Sequence, residues 1–312
     1  MRTRDNRQRF LIESCGVRGQ ICHLDDTWRE ATARVDYPPL VRELLGETFV
    51  AALLLAGTIK FDGRMTLQIR GDGVIHLLVV QVSESGSVRG LARWGELPAQ
   101  TSTLDASAGA EPPPLAALFG DDARMIITIE ARERAEPYQG IVPLEGASLG
   151  DALASYFRNS EQLQTELYLS ADATGAAGML LQRLPAGERE SEDAEGWRRA
   201  TTLAGTLGGE ELRERDVEGL LHALFHEERV RLFDESPVRF DCSCSRERTD
   251  GMLQGLGEAE VQSIVEELGA VEITCEFCDA EYRYDAVDVA ALFHATLSGD
   301  DAGAPDEETV RH

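Results

Sequence analysis

Four cysteines near the C-terminus constrain this chain more than any other feature: Cys242-Ser243-Cys244 and Cys275-Glu276-Phe277-Cys278, a C-x-C and a C-x-x-C separated by thirty residues. Two close thiol pairs joined by a longer loop is the usual way a small zinc module is tied, because four thiolates meet the tetrahedral, sulfur-rich preference of Zn²⁺. The C-x-C half is unusual. Ordinary zinc knuckles place two to four residues between ligands, and a disulfide across one residue is short, strained and therefore labile. The pairing predicts thiols that hold Zn²⁺ in one redox state and cross-link in another, with a permanently structural ion as the plainer reading. Flanking Arg246 and Arg248 favour thiolate, while Asp241, Glu276 and Asp279 oppose it, so charge alone does not decide reactivity.

The rest of the composition narrows the class of protein. A chain of 312 residues has room for two domains. Acidic residues outnumber basic ones 56 to 30, a formal net charge of −26, which repels nucleic acid phosphates and anionic membranes. Lys60 is the only lysine among the basic residues, a bias of genome or habitat. Met1 to Phe10 carries four arginines with no apolar stretch after it, and the longest apolar run, Phe49 to Ala56, falls short of the roughly 20 residues of a membrane span. A cytoplasmic protein is expected. Six cysteines in such a chain favour metal or redox chemistry over a constitutive disulfide framework.

Hydrophobic periodicity predicts an α+β fold: an N-terminal mixed domain with antiparallel hairpins, a helical linker, and a small C-terminal four-cysteine zinc domain. Pro38 to Gly57 reads as a helix opened by Pro38 and Pro39, and Met65 to Ile69 and Val74 to Val80 as a hairpin around Gly71-Asp72-Gly73. Arg124 to Glu133 and Thr165 to Ser170 read as strands, and Ser148 to Asn159 as a helix with a Ser cap. The expected divisions are a core domain over 1–184, a linker over 185–237, a zinc module over 238–292 and an acidic tail over 293–312, disordered from Gly299 to His312. Within the linker, Pro185 to Gly209 has the composition of a flexible segment, and Glu210 to Phe233 has helical spacing with Val217, Leu220, Leu221, Leu224 and Phe225 on one stripe. The module is expected to place short strands before each thiol pair, Val238-Arg239-Phe240 and Val271-Glu272-Ile273, around a helix from Gly257 to Leu268. About 55 residues bury too little to fold without a staple, which zinc supplies.

Other motifs carry less. A thioredoxin-type reading of Cys275 to Cys278 needs a helix immediately afterwards, whereas Glu281 to Tyr284 reads as extended. Cys15 and Cys22 read as small core residues. His222 and His226 are four apart but lack the H-E-x-x-H pattern and read as surface histidines. Lys60 follows Ile59 and precedes Phe61, so it is no Walker lysine, and Gly71-Asp72-Gly73 lacks the third glycine of a dinucleotide fingerprint. No catalytic constellation emerges, and a non-enzymatic protein is expected.

Segments spread along the whole chain resemble the 33 kDa chaperonin family, the bacterial redox-regulated heat-shock holdases. They include Leu44-Leu45-Gly46-Glu47, Lys60-Phe61-Asp62-Gly63, Tyr138-Gln139-Gly140-Ile141-Val142, Tyr156-Phe157-Arg158-Asn159-Ser160-Glu161-Gln162-Leu163 and Phe240-Asp241-Cys242-Ser243-Cys244-Ser245-Arg246-Glu247-Arg248, with Cys275-Glu276-Phe277-Cys278 last. The resemblance implies an ATP-independent stress-response chaperone. It implies one Zn²⁺ per reduced chain on Cys242, Cys244, Cys275 and Cys278, and disulfides Cys242-Cys244 and Cys275-Cys278 once oxidised. It further implies unfolding client proteins held on apolar surface such as Leu220, Leu221, Leu224 and Phe225, a homodimer on activation, and transfer of clients to ATP-dependent foldases. A zinc-ribbon module for binding other proteins and a thiol-disulfide oxidoreductase are the rival classes.

Overall fold

The structure is a computed structural model that describes residues 4–97, 113–132, 136–185 and 190–297. Contacts divide the chain into two compact units, Met1–Asp241 and Cys242–His312.

The first unit opens with strands β1 (Asn6–Ile12) and β2 (Val17–Leu24) and helices α1 (Asp26–Thr32) and α2 (Pro39–Ala56). A meander follows, β3 (Gly63–Arg70), β4 (Ile75–Ser83) and β5 (Ser87–Trp94), then the short α3 (Leu115–Phe119), β6 (Arg124–Ala131) and β7 (Tyr138–Pro143). Next come α4 (Leu149–Tyr156), a π-turn over Phe157–Glu161, and the hairpin β8 (Thr165–Ala171) and β9 (Ala176–Arg183). The unit closes with α5 (Glu190–Ala204), α6 (Gly209–Glu214), α7 (Val217–Phe225), β10 (Val230–Pro237) and β11 (Arg239–Phe240). Two sheets result, one ordered β10-β1-β2-β9-β8 and antiparallel throughout, the other β11-β5-β4-β3-β6-β7 and antiparallel except for the β11–β5 pair.

Helix α2 forms because the fixed φ of Pro38 and Pro39 suits a first helical turn, and it is buried on nearly all sides because its sequence is apolar nearly all round. It packs on strands of both sheets, with Leu45, Phe49, Leu53 and Leu54 fully buried. The approach is close enough to require glycines: a Cβ at Gly46 would stand 2.5 Å from the Ala171 Cβ, and one at Gly90 would stand 2.5 Å from the Phe49 ring. Phe49 in turn meets Trp28 edge to face at 5.7 Å between ring centroids. Helix α4 starts at Ser148 with a reciprocal capping box to Asp151, as the sequence predicts, and gives way to the π-turn one residue past Tyr156.

The other face of the first sheet carries a second core. Phe10, Ile12, Val17, Ile21, Met179 and Leu181 lie against Ala200, Ala204, Leu220 and Phe225 of the later helices. The segment expected to be a flexible linker is therefore ordered over α5, because Trp197, Ala200 and Ala204 recur at helical spacing among the charges and find apolar partners. The single helix expected from Glu210 to Phe233 is broken at Arg215 and Asp216, where the Asp216 carboxylate caps α7 by accepting from the Gly219 N–H at 2.7 Å. Its last part, Val230 onward, is a strand, since pairing with the free edge of β1 satisfies a full row of backbone groups. Val238 is buried in the main core and Arg239–Phe240 pairs with β5, so the strand ahead of the first cysteine pair belongs to the first unit.

The second unit holds α8 (Arg246–Leu256), α9 (Glu258–Leu268), the hairpin β12 (Val271–Thr274) and β13 (Glu281–Tyr284), and α10 (Ala286–Leu297). Its core is small: Leu253, Val261, Val265, Val271, Tyr284 and Val289. The sequence reading found α9 and both strands but missed α8, which begins at a Ser245 cap, and α10. The expected disorder of the tail, residues 299–312, lies outside the described residues. No helix among the described residues is long and apolar enough to cross a membrane.

Several polar contacts hold the late helices on the first sheet. Tyr168 Oη donates to the Thr201 carbonyl at 3.0 Å, Arg213 pairs with Asp172 at 2.9 Å, and the buried His23 Nε2 donates to the Leu212 carbonyl at 2.9 Å. Burial pushes the His23 pKa below its ordinary 6.5, with Arg4 acting in the same direction and the Leu212 hydrogen bond, Asp25 and Asp216 opposing. A depressed folded-state pKa contributes stability that is present above 6.5 and lost as the pH falls through the folded value. Lowering the pH from 7.5 to 5.5 is predicted to reduce the urea midpoint of the reduced protein, and His23→Gln is predicted to flatten that dependence. A midpoint whose pH dependence is the same with and without His23 would show that this contact does not set it.

Candidate metal centre

The two thiol pairs sit on two loops of the second unit. Cys242 and Cys244 lead into α8, whose cap is the Ser245 hydroxyl accepting from the Arg248 N–H at 3.3 Å. Arg248 then folds back so that Nη1 donates to the Ser243 carbonyl at 2.9 Å and to its hydroxyl at 2.8 Å, bracing the C-x-C from outside. Cys275 and Cys278 form the turn of the β12–β13 hairpin. There the Cys275 N–H donates to the Ala280 carbonyl at 2.9 Å and the Asp279 N–H to the Cys275 carbonyl at 2.8 Å, with Asp279 left-handed at φ 55°. The turn aims both sulfurs the same way.

The four sulfurs lie within 4.8 Å of one another, the one such cluster of metal-type ligands among the described residues. Across the pairs, Cys242 Sγ is 3.6 Å from Cys275 Sγ, and Cys244 Sγ is 3.3 Å from Cys278 Sγ. A tetrahedral site with metal–sulfur bonds of about 2.3 Å has edges of about 3.8 Å, so the sulfurs already stand near the corners such a site needs. All four are free thiols. Cys278 is the buried one, and burial pushes its thiol well above the ordinary range, with the other three sulfurs adding to the effect. The Tyr282 hydroxyl hydrogen-bonds the Cys244 sulfur, which pushes the tyrosine up to about 12. A buried thiol such as Cys278 that resists charging on its own is well suited to a divalent cation, which neutralises the thiolate as it binds.

Behind the sulfurs lies a support that the sequence did not reveal. Tyr284, 1% exposed, donates to Asp250 Oδ1 at 2.7 Å and also contacts the Thr249 hydroxyl, tying β13 to α8. Arg246 stacks on the Tyr284 ring at 4.3 Å and pairs with Asp288 of α10 at 3.1 Å. The two arginines read in the sequence as tuning the thiols thus act mainly as struts. The only hint was chemical type, since nothing in the linear spacing joins Thr249 to Tyr284.

The remaining candidates form no second centre among the described residues. Cys15 and Cys22 are buried core residues, and burial pushes the Cys22 thiol up to about 12. His222 on α7 and His226 at its C-cap are exposed with ring centroids 6.0 Å apart, and among the described residues they have no third ligand. A strand, β13, follows Cys278, not the helix of a thioredoxin-type site. Leu220, Leu221, Leu224 and Phe225 are each less than a tenth exposed, and the Phe225 ring packs on Phe10 at 6.3 Å. In this conformation they offer no surface to a partner.

Comparison with known proteins points one way. Residues 5–285 match the family described as Hsp33 protein. The chain is 43% identical over 294 residues to the 33 kDa chaperonin of Chromobacterium violaceum, covering 94% of this chain and 95% of that one. It is 42% identical over 311 residues to the 33 kDa chaperonin of Pseudomonas paraeruginosa, covering 99% of each. The crystal structure of the 33 kDa chaperonin from Thermotoga maritima shares the fold, with a TM-score of 0.75 at 21% identity over 94% of this chain and 99% of that one.

The cluster predicts a metal stoichiometry of one per chain. Titration of the reduced, metal-free protein with Co²⁺ is expected to give sulfur-to-metal charge-transfer bands that saturate at one equivalent, with protons released and affinity rising with pH. Cys278→Ser is expected to weaken binding by on the order of 100-fold or more, and Cys22→Ser to leave it unchanged. Equal loss from both substitutions would refute the assignment.

Proposed function

The chain belongs to the Hsp33 protein family, and on that footing we propose that it is a redox-regulated, ATP-independent holdase of the cytoplasm, idle when reduced and active when oxidised. The observation that carries the proposal is an all-sulfur cluster set in a unit whose apolar cluster, among the described residues, joins only six buried side chains. Cys242, Cys244, Cys275 and Cys278 would hold one Zn²⁺, which supplies charge neutralisation and a cross-link between two loops that little else joins.

Cys275 and Cys278 are the first to react. Their two thiolates give up two electrons to one peroxide, which takes two protons from solvent and leaves as two waters, and the sulfurs join in a disulfide. Cys242 and Cys244 pair in the same way at the cost of a second peroxide. Each disulfide withdraws two of the four donors, so the unit loses its staple and unfolds. In this reading residues 1–184 are the core domain, 185–237 a linker that loosens, 238–292 the switch and 293–312 an acidic tail. Loosening of the linker frees Leu220, Leu221, Leu224 and Phe225 from Phe10 and its neighbours, and the exposed apolar surface takes up unfolding clients by the hydrophobic effect. The net charge of −26 keeps the resulting complexes apart and in solution. The active form is a homodimer, clients pass to ATP-dependent foldases, and thiol reductants restore the idle state. The protein is not an enzyme, and neither nucleic acid nor membrane is its partner.

Light scattering from a heat-unfolded client tests the proposal directly. Reduced, zinc-loaded protein is expected to leave aggregation unchanged, and peroxide-treated protein to suppress it while releasing about one Zn²⁺ per chain. Zinc retained under peroxide, or released without suppression, would return the four cysteines to a purely structural role. The docked linker has its own test: Phe225→Ala is predicted to cost about 3–5 kcal/mol and to open reduced protein to limited proteolysis between α5 and β10.

A further inference from the structure

The first sheet turns a row of cations toward a cleft that the proposed switch does not use. Cross-strand register puts Arg9 opposite Gln20, and Leu11 opposite both Arg18 and Arg231, on the same face, which runs past the end of α2. Arg9 and Arg231 both stack on the Phe233 ring, at 5.7 and 5.1 Å. Lys60, the only lysine of the chain, comes from the loop after α2 and lines the same space. Among the described residues none of Arg9, Arg18, Arg231 or Lys60 has a carboxylate partner; Arg18 Nε donates instead to the neutral Gln182 Oε1 at 2.8 Å. In a chain with 56 acidic residues against 30 basic ones, cations gathered without acids mark a place for an anion from outside.

Two further observations define the ligand. Gln20 is 5% exposed, lines this space, and its Oε1 has no hydrogen-bond partner. It lies where a Cβ at Gly57 would come within 2.0 Å, so the glycine leaves the room it occupies. A buried acceptor left without a donor is costly, and a ligand O–H would satisfy it. The cationic space, about 350 Å³, also shares Arg18, Thr58, Ile59 and Lys60 as a common wall with a larger cleft of about 540 Å³. That cleft is largely apolar, walled by Leu55, Phe61, Met65, Ile127, Ile129 and Phe157. Its acids are already engaged, Asp62 by Arg132 at 3.4 Å and Glu161 by the Tyr156 hydroxyl at 2.9 Å. Combined sizes of this order suit a small organic ligand.

We propose that this double cleft binds an apolar phosphate monoester, its head among Arg9, Arg18, Lys60 and Gln20 and its body along the apolar wall. As the monoanion, which prevails below its second pKa near 6, a phosphate monoester supplies both anionic oxygens for the cations and an O–H for Gln20, whereas an ionised carboxylate supplies only the first. The site lies wholly in the first unit and does not rest on the proposed redox switch.

Calorimetric titration of the reduced full-length protein with octyl phosphate, below its micelle concentration, at low salt and at about pH 5.5 where the monoanion prevails, tests the site. One saturable equivalent per chain is expected, with 1-octanol, inorganic phosphate and octanoate each weaker by about tenfold or more. Lys60→Gln and Arg9→Gln, both exposed positions, are expected to weaken octyl phosphate by about tenfold with no change in the thermal midpoint. Gln20→Leu is expected to erase the preference for octyl phosphate over octanoate. The proposal is overturned by absence of saturable binding, by octanol or inorganic phosphate binding as tightly as octyl phosphate, or by binding indifferent to Lys60 and Arg9. Octanoate equal to octyl phosphate in the native protein overturns the phosphate assignment.

Discussion

A sheet that is apolar on both faces must be covered twice. Strands β2 and β9 are buried along almost their whole length, so the first sheet cannot present one side to water as an ordinary antiparallel sheet does. Helix α2 covers one side and ties that sheet to the second. The other side has no cover of its own within residues 1–184 and is completed by α5, α6 and α7. The late helices are thus structural parts of the first unit even though their composition is that of a connector, and whatever undocks them exposes two apolar surfaces at once, theirs and the sheet's.

That double role explains where the sequence was legible and where it was not. Helix α2, the β3–β4 hairpin and the Ser148 cap were readable because each is decided by local chemistry: prolines at a helix start, glycines at a turn, a hydroxyl at a cap. The run from Glu210 to Phe233 misled because Val230, Leu232 and Phe233 fit a helical stripe as well as a strand, and the choice is made by the free edge of β1 more than two hundred residues earlier. Helix α5 was hidden for the same reason, its apolar residues being too sparse to announce a helix without the sheet they land on. The cysteine cluster lay at the other extreme. Its residue types and spacing named the chemistry directly, while the struts that hold it, Tyr284, Thr249 and Asp250, are joined only by the fold.

The second unit inverts the logic of the first. Among the described residues its apolar cluster joins only six buried side chains, so it has little hydrophobic stabilisation to lose, and Met252, Leu256, Leu268 and Val287 are left more than half exposed. Order there depends on contacts that chemistry can alter: four sulfurs, one buried hydroxyl network and an arginine stacked on a tyrosine. The two units thus rest on different kinds of contact, the first on a large buried core and the second on a few specific polar and sulfur groups.

The pairing of β10 with β1 also has a consequence for synthesis. Asn6 lies opposite Pro237 and Ile12 opposite Val230, so one edge of the first strand stays bare until about three quarters of the 312 residues have been made. At translation rates of roughly 5–20 residues per second that interval lasts on the order of tens of seconds. Throughout it the nascent chain carries an open β-edge and an uncovered apolar sheet face, the two features that most invite association with neighbouring chains. A member of a chaperonin family therefore passes through its own most vulnerable state during synthesis, and closes that edge only when β10 arrives.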